Sequence, residues 1–269
     1  MRSTWVVVAA ALVLNAALAA VSAQQFPAGE LAVSGAVRAM AGVVPWLPLP
    51  LTALAAAVLG ALAYSNEMRW PGLAASRVSL GRRLGALLAK LVVVGAAALL
   101  LAVLTLVVNT LVVRFALPGT VDASSVLALP RPGELMAFPG LTPAPATGPF
   151  AMGGLGRPLP AFLALAVAGG WAGLLLATLV RSAVVAVLLT CATPALLEPT
   201  AGLLLHRFGR NWPLWVWELM PFQYGFNLVR EAADRTAAAL DGVVIAALLT
   251  PGALLVLAVL VAQFRRRAL

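Results

Sequence analysis

A chain of 269 residues that is 62% hydrophobic, with 10% Asp, Glu, Lys and Arg and a mean hydropathy of +1.01, lacks the polar sequence to coat a soluble domain. Most of it is built for lipid. The net charge of +9 would point to nucleic acid in a soluble protein; here it reads as a membrane-orientation signal and nucleic acid is not expected as a partner. One cysteine, Cys191, and one histidine, His206, leave no intrachain disulfide and no multi-histidine metal site.

Six apolar stretches follow in order: 5–23, 46–65, 86–113, 160–180, 183–205 and 242–263. Each is near the roughly 20 residues that a helix needs to cross the hydrocarbon. Backbone groups in lipid must be bonded within the segment, so Ala/Leu/Val runs of this length are predicted to be helices. The fifth is broken by Pro194 and by Glu198-Pro199, the sixth by Pro251-Gly252. Short alternating strands with aromatic girdles are missing, which argues against a membrane β-barrel. Arg2, the apolar run after it and the Val21-Ser22-Ala23 ending also fit a secretory signal peptide. An even number of spans fits better if that segment stays.

Charge predicts the orientation. With the N-terminus, 66–90, Arg181 and the C-terminus on one side, that side holds Arg2, Arg69, Arg77, Arg82, Arg83, Lys90, Arg181, Arg265, Arg266 and Arg267. Its one acid is Glu67. The other side balances eight arginines against eight acids. The positive side is predicted to be cytoplasmic. The expected fold is therefore an all-α, multi-pass protein of a bacterial inner membrane, with six transmembrane helices and both termini in the cytoplasm.

The cytoplasmic loop 66–85 places Leu73, Val78, Leu80 and Leu84 among Arg77, Arg82 and Arg83, after a Pro71-Gly72 turn. This pattern suits a helix lying on the membrane surface. It reads either as a basic anchor or as a docking surface for a cytoplasmic partner. Glu67 is out of place among these cations unless it is paired, with Arg69 for instance, or aimed at a partner. Residues 115–159 are predicted to be an outer loop rich in Pro and Gly, without a catalytic constellation. In 206–241, Trp212, Trp215 and Trp217 precede Phe222, Tyr224 and Phe226. They read as an aromatic belt at the headgroups or as part of an outer gate made of short helices. Arg230 and Asp234 have helical i,i+4 spacing there. Glu198 reads as a pathway acid near the membrane boundary or, beside Pro199, as a helix end.

No phosphate-binding Gly-rich loop ending in Lys-Ser or Lys-Thr occurs, so ATP hydrolysis by that machinery is not expected of this chain. Zinc-protease and serine-hydrolase signatures are missing as well, and the chain is not expected to be an enzyme or to hold a cofactor or metal. Small residues such as Gly60, Ala61, Ala96, Ala97, Gly169, Gly170 and Gly173 permit close helix packing within one chain or between two.

Taken together, several short patterns resemble the permease subunit of bacterial ATP-binding-cassette exporters of the type-2 (type V) class. They are Arg2-Ser3-Thr4-Trp5 at the first span; Ser65, Glu67 and Arg69 after the second; and Arg77, Arg82 and Ala89-Lys90 before the third. Leu179, Arg181 and Ser182 at the turn between the fourth and fifth spans, and the tail Arg265-Arg266-Arg267, complete the set. The chain departs from the pattern at Met68 to Pro71, where glycine falls at position 72, and the usual proline of the following helix is missing.

The resemblance implies two permease chains, as a homodimer or heterodimer, in membrane lipid above two separate cytoplasmic ATPase subunits that bind ATP and Mg. It implies that the loop around Glu67, Arg69, Arg77, Arg82, Arg83 and Lys90 couples to the ATPase. Residues 206–235 would form the outer gate. Apolar spans favour an amphiphilic or hydrophobic cargo such as a drug, lipid or peptide over a small ion. The other function classes open to such a chain are an accessory subunit of a membrane complex and an ATP-independent carrier or membrane-embedded enzyme. An adjacent ATPase gene discriminates them. High Ala, Val, Leu, Gly and Arg usage suggests a GC-rich bacterium.

Overall fold

The computed structural model describes residues 2–31, 33–43, 47, 49–68, 80–122, 158–193 and the positions 252, 256 and 260. Their regular elements are helices, apart from one pair of two-residue strands. The elements are α1 (Arg2–Gln24), β1 (Gly29–Glu30), α2 (Val33–Ala41), α3 (Leu51–Met68), α4 (Leu80–Ala116), β2 (Val121–Asp122), α5 (Pro158–Val180) and α6 (Ala183–Ala192). Three helical stretches are long and apolar enough to cross a membrane: Thr4–Gln24, Leu87–Ala116 and Ala161–Val180. The protein is thus a helical membrane protein by length and composition. Leu51–Tyr64 and Ala183–Ala192 are shorter apolar helices.

Packing fixes the directions. Ala11 meets Leu101, and Ala19 and Ala23 meet Val113, so α1 and α4 run parallel. Their exits are tied by β1 and β2, which pair in parallel with Gly29 opposite Val121. Leu49 and Ala53 share a cluster with Ala102, while Ala63 and Tyr64 pack near Leu91, so α3 runs against α4. Helix α5 also runs against α4: Phe162 packs near Leu106, and Leu174 near Leu91. After a two-residue turn α6 reverses direction, and Ala186 packs on Ala61 and Ala177.

The sequence reading has no helix between the first two apolar stretches, yet α2 occupies that interval. Its Ala36, Val37, Ala39, Met40 and Ala41 are buried, and Arg38 is exposed. Few of its residues are strongly apolar, so a hydropathy window passes over it. The expected 46–65 span also begins later, at Leu51. Gly42 has φ +59, and prolines at 45, 48 and 50 bring no backbone N–H to a helix. Helix α2 therefore closes at Gly42 and α3 starts directly after Pro50, and Met40, Leu49 and Ala53 share one buried cluster.

Helix α4 begins earlier than the 86–113 stretch suggests. At 37 residues it is about 55 Å long, against about 30 Å of hydrocarbon. Leu80–Ala86 precede its apolar run and carry Arg82 and Arg83. These residues are helically continuous with the apolar run; positions 69–79 of the expected loop lie outside the described residues.

Candidate functional site

One end of the bundle gathers the start of α1, the end of α3, the start of α4 and the α5–α6 turn. Among the described residues this end carries Arg2, Arg82, Arg83, Lys90 and Arg181, with Glu67 as its one acid. The opposite end carries Arg38 and Arg114 with Glu30 and Asp122. The helix directions thus set these two groups of positions at opposite ends of the bundle.

At the basic end, α3 stops one residue past Glu67 and α4 starts two residues before Arg82. The sequence-selected residues Glu67, Arg82 and Arg83 therefore sit on two neighbouring helix ends. Lys90 lies further along α4 and is partly buried. Arg69 and Arg77 lie outside the described residues, as do Glu198, Trp212, Trp215, Trp217, Phe222 and Tyr224.

The α5–α6 turn is tight. Arg181 adopts φ +60 and its N–H donates to Ala177 O at 2.9 Å. Ser182 caps α6, its side chain accepting from Val185 N–H at 3.4 Å. A non-glycine residue in this conformation costs about 1–2 kcal/mol. Glycine would relieve that cost and would remove the cation from the basic end.

Two further contacts connect this end to the rest of the bundle. The first is the seam between α3 and α5. A Cβ on Gly173 would strike Ala57 O, and one on Gly60 would strike Gly170 O. A Cβ on Gly169 would lie 2.5 Å from Ala53 O. The backbones meet without side chains between them, the close approach that small residues allow between helices in lipid. The second contact is Trp171. Its Nε1–H donates to Leu91 O of α4 at 2.8 Å, and its ring covers Gly95, where a Cβ would come within 2.9 Å of Nε1. Gly252 lies on the other edge of the ring, and Val256 packs into the same cluster. Trp171 therefore joins α4, α5 and the C-terminal segment one helical turn from Lys90.

A polar layer lies toward the opposite end. Asn15 of α1 and Asn109 of α4 are fully buried. Asn109 Nδ2–H donates to Met40 O at 2.7 Å, and Asn15 Nδ2–H donates to Ala11 O of its own helix at 2.8 Å. The end of α2 explains the first bond. Gly42 N–H donates to Ala39 O and Val43 N–H to Arg38 O, closing the helix in a Schellman turn. Met40 O is then one of the carbonyls left over at a helix end, and Asn109 takes it from another helix. Thr105, Thr110, Thr190 and Thr193 instead return their hydroxyls to the carbonyl four residues back on their own helices.

Asn15, Asn109 and Trp171 were not selected from sequence as site residues. A single amide inside each of two otherwise apolar runs was the available signal. Among the described residues no group of three His, Cys, Asp or Glu could hold a metal ion. No protein-family model matches the chain, and no curated protein and no solved structure matches it.

Proposed function

We propose that this chain is the membrane-spanning subunit of an ATP-driven exporter in a bacterial plasma membrane. ATP is bound with Mg and hydrolysed by separate cytoplasmic ATPase subunits. A second permease chain completes the transport pathway, and the cargo is amphiphilic or hydrophobic. The observation that carries this reading is the basic end of α4. Two turns bearing Arg82 and Arg83 are continuous with the apolar Leu87–Ala116 stretch. A helix is stiff along its axis, so a push on those turns reaches the far end of the span without a loop in between.

The surroundings of α4 support the same reading. Glu67 ends the neighbouring helix and adds an acid to a basic platform. Trp171 ties α4 to α5 just above that platform, so displacement of one helix is shared with the other. The sequence lacks a phosphate-binding loop, so an energy source has to come from outside the chain. In this scheme ATP-driven closure of the ATPases moves the basic turns and the Glu67 helix end together, and the two permease chains alternate between inward and outward access. The aromatic segment with Trp212, Trp215, Trp217, Phe222 and Tyr224, and Glu198 before it, serves the outer gate.

The test is reconstitution of the complex from native membranes in lipid nanodiscs. ATP hydrolysis that follows the chain through purification, and that falls strongly in Glu67→Lys, supports the proposal. A purified chain that moves cargo along a gradient without ATP supports a carrier in its place.

A further inference from the structure

Arg181 stands in a place that suits glycine. Among the described residues it is the one non-glycine residue with a positive φ, at +60. Glycine adopts that conformation without steric cost, and arginine does not. Backbone states of this kind persist where the side chain has a use. The use is not inside the described bundle. The backbone N–H donates to Ala177 O, the residue is exposed, and among the described residues its side chain takes part in no ion pair.

Its surroundings point to lipid. The Ala161–Val180 stretch is long and apolar enough to cross a membrane, and it ends at the residue before Arg181. Two residues, Arg181 and Ser182, separate α5 from α6, so the turn stays at the membrane boundary. Leu179 and Val180 before the turn and Val184 after it are apolar and exposed. On α6, Ala186 packs against Ala61 and Ala177. Val184 and Leu188 lie two residues to either side of it, about 200° round the helix, and are 70% and 62% exposed. The outer face of the turn is therefore an apolar strip with one cation at its head.

A phospholipid matches that strip, with an acyl chain along Val184 and Leu188 and its phosphate at Arg181. A guanidinium presents paired N–H donors that suit phosphate oxygens. Charge selects the class. This end of the bundle sets Arg2, Arg82, Arg83, Lys90 and Arg181 against Glu67 among the described residues. A headgroup with net negative charge is favoured there over one that carries its own ammonium. A protein partner on this turn would have to clear lipid from Val180 and Val184.

We propose that the α5–α6 turn binds one anionic phospholipid, held at its phosphate by Arg181 and along an acyl chain by Val184 and Leu188. The site rests on the chain being a membrane protein and stands apart from the exporter reading.

The test uses the full chain in nanodiscs of phosphatidylcholine with and without phosphatidylglycerol. Native mass spectrometry of chain released from the mixed discs should show one retained phosphatidylglycerol. Retention should fall about fivefold in Arg181→Gly, as expected for one arginine at an anionic surface, and less in Arg181→Lys. Thermal unfolding gives a second readout. Phosphatidylglycerol should raise the midpoint of the unaltered chain. Arg181→Gly should lose that rise yet keep the parent's midpoint in phosphatidylcholine, because glycine fits φ +60. Equal retention of the two lipids by the unaltered chain overturns the proposal. So do equal losses in Arg181→Gly and Arg83→Gln, which would assign the lipid to diffuse positive charge. Release of the lipid by millimolar inorganic phosphate would make the site one for free phosphate and overturns it too. A midpoint that falls equally in both discs in Arg181→Gly would give the guanidinium a contact within the chain instead. A photo-crosslinker at position 181 in native membranes should label lipid; labelling of a cytoplasmic protein in its place overturns the proposal.

Discussion

The α3–α5 seam and the α1–α2–α4 layer solve the same problem in opposite ways. In lipid, helices gain little from burying apolar side chains against one another, because the tails are equally apolar. The seam gains from proximity: Gly169 and Gly173 bring α5 backbone onto Ala53 and Ala57 with no polar side chain involved. The layer gains from hydrogen bonding: Asn109 reaches across to a leftover carbonyl at the buried end of α2. A seam built on the absence of atoms tolerates no addition. A layer built on amides tolerates no loss of a donor. Each region therefore fails under a different class of substitution, and the size of the failure ranks the two devices.

The largest effect is expected at the seam. Gly173→Leu drives a side chain into the Ala57 carbonyl. Overpacking in a closed core costs about 1–3 kcal/mol when neighbours can shift, and backbone cannot shift without separating the helices. We expect loss of monodisperse protein in size-exclusion chromatography. Gly85→Leu is the control, since a Cβ at Gly85 meets nothing within 4 Å; it should behave as the unaltered chain. Equal behaviour of the two variants would mean that the seam does not hold the bundle.

Asn109→Leu should follow. It leaves Met40 O without its cross-helix donor at a buried helix end. Stranding such a group costs about 1–3 kcal/mol, to be read as a lowered thermal midpoint. Hydrogen exchange should rise at the Gly42 and Val43 amides that close α2. A midpoint unchanged from the parent would show that the layer contributes no stability.

Trp171→Phe should be the mildest. It keeps most of the ring over Gly95 and removes the Nε1–H donor to Leu91 O. A hydrogen bond between helices in a membrane is worth about 0.6 kcal/mol on average, so the midpoint should fall by little. Coupling should suffer more than stability, because this bond links α4 to α5 near the basic end. A variant with normal ATP-driven transport would remove Trp171 from the coupling route and leave it as packing alone.

The sequence carried the long apolar helices plainly, because runs such as 86–113 exceed what any soluble helix needs. The seam was legible as a list of small residues, but which glycine meets which carbonyl depends on helix register. Helix α2 was hidden because Gly35, Arg38 and Ser34 dilute its hydropathy, and its buried face becomes apparent only against Phe162 and Leu49. The partnership of Asn109 with Met40 spans 69 residues of sequence, and no local pattern encodes it. The resemblance implies a coupling role for Glu67, Arg82, Arg83 and Lys90; the helices place these positions on the ends and flanks of α3 and α4.

The central claim is that an ATPase drives this chain from its basic end. The most direct measurement is ATP hydrolysis by the complex purified through a tag on this chain and held in nanodiscs, with the unaltered chain beside Glu67→Lys and Glu67→Gln. The account predicts hydrolysis with the unaltered chain, a fall of about tenfold or more (about 1.4 kcal/mol per decade) with Glu67→Lys, and a smaller fall with Glu67→Gln. No ATPase in the purified complex, together with cargo movement that ignores ATP and all three side chains at position 67, would contradict it.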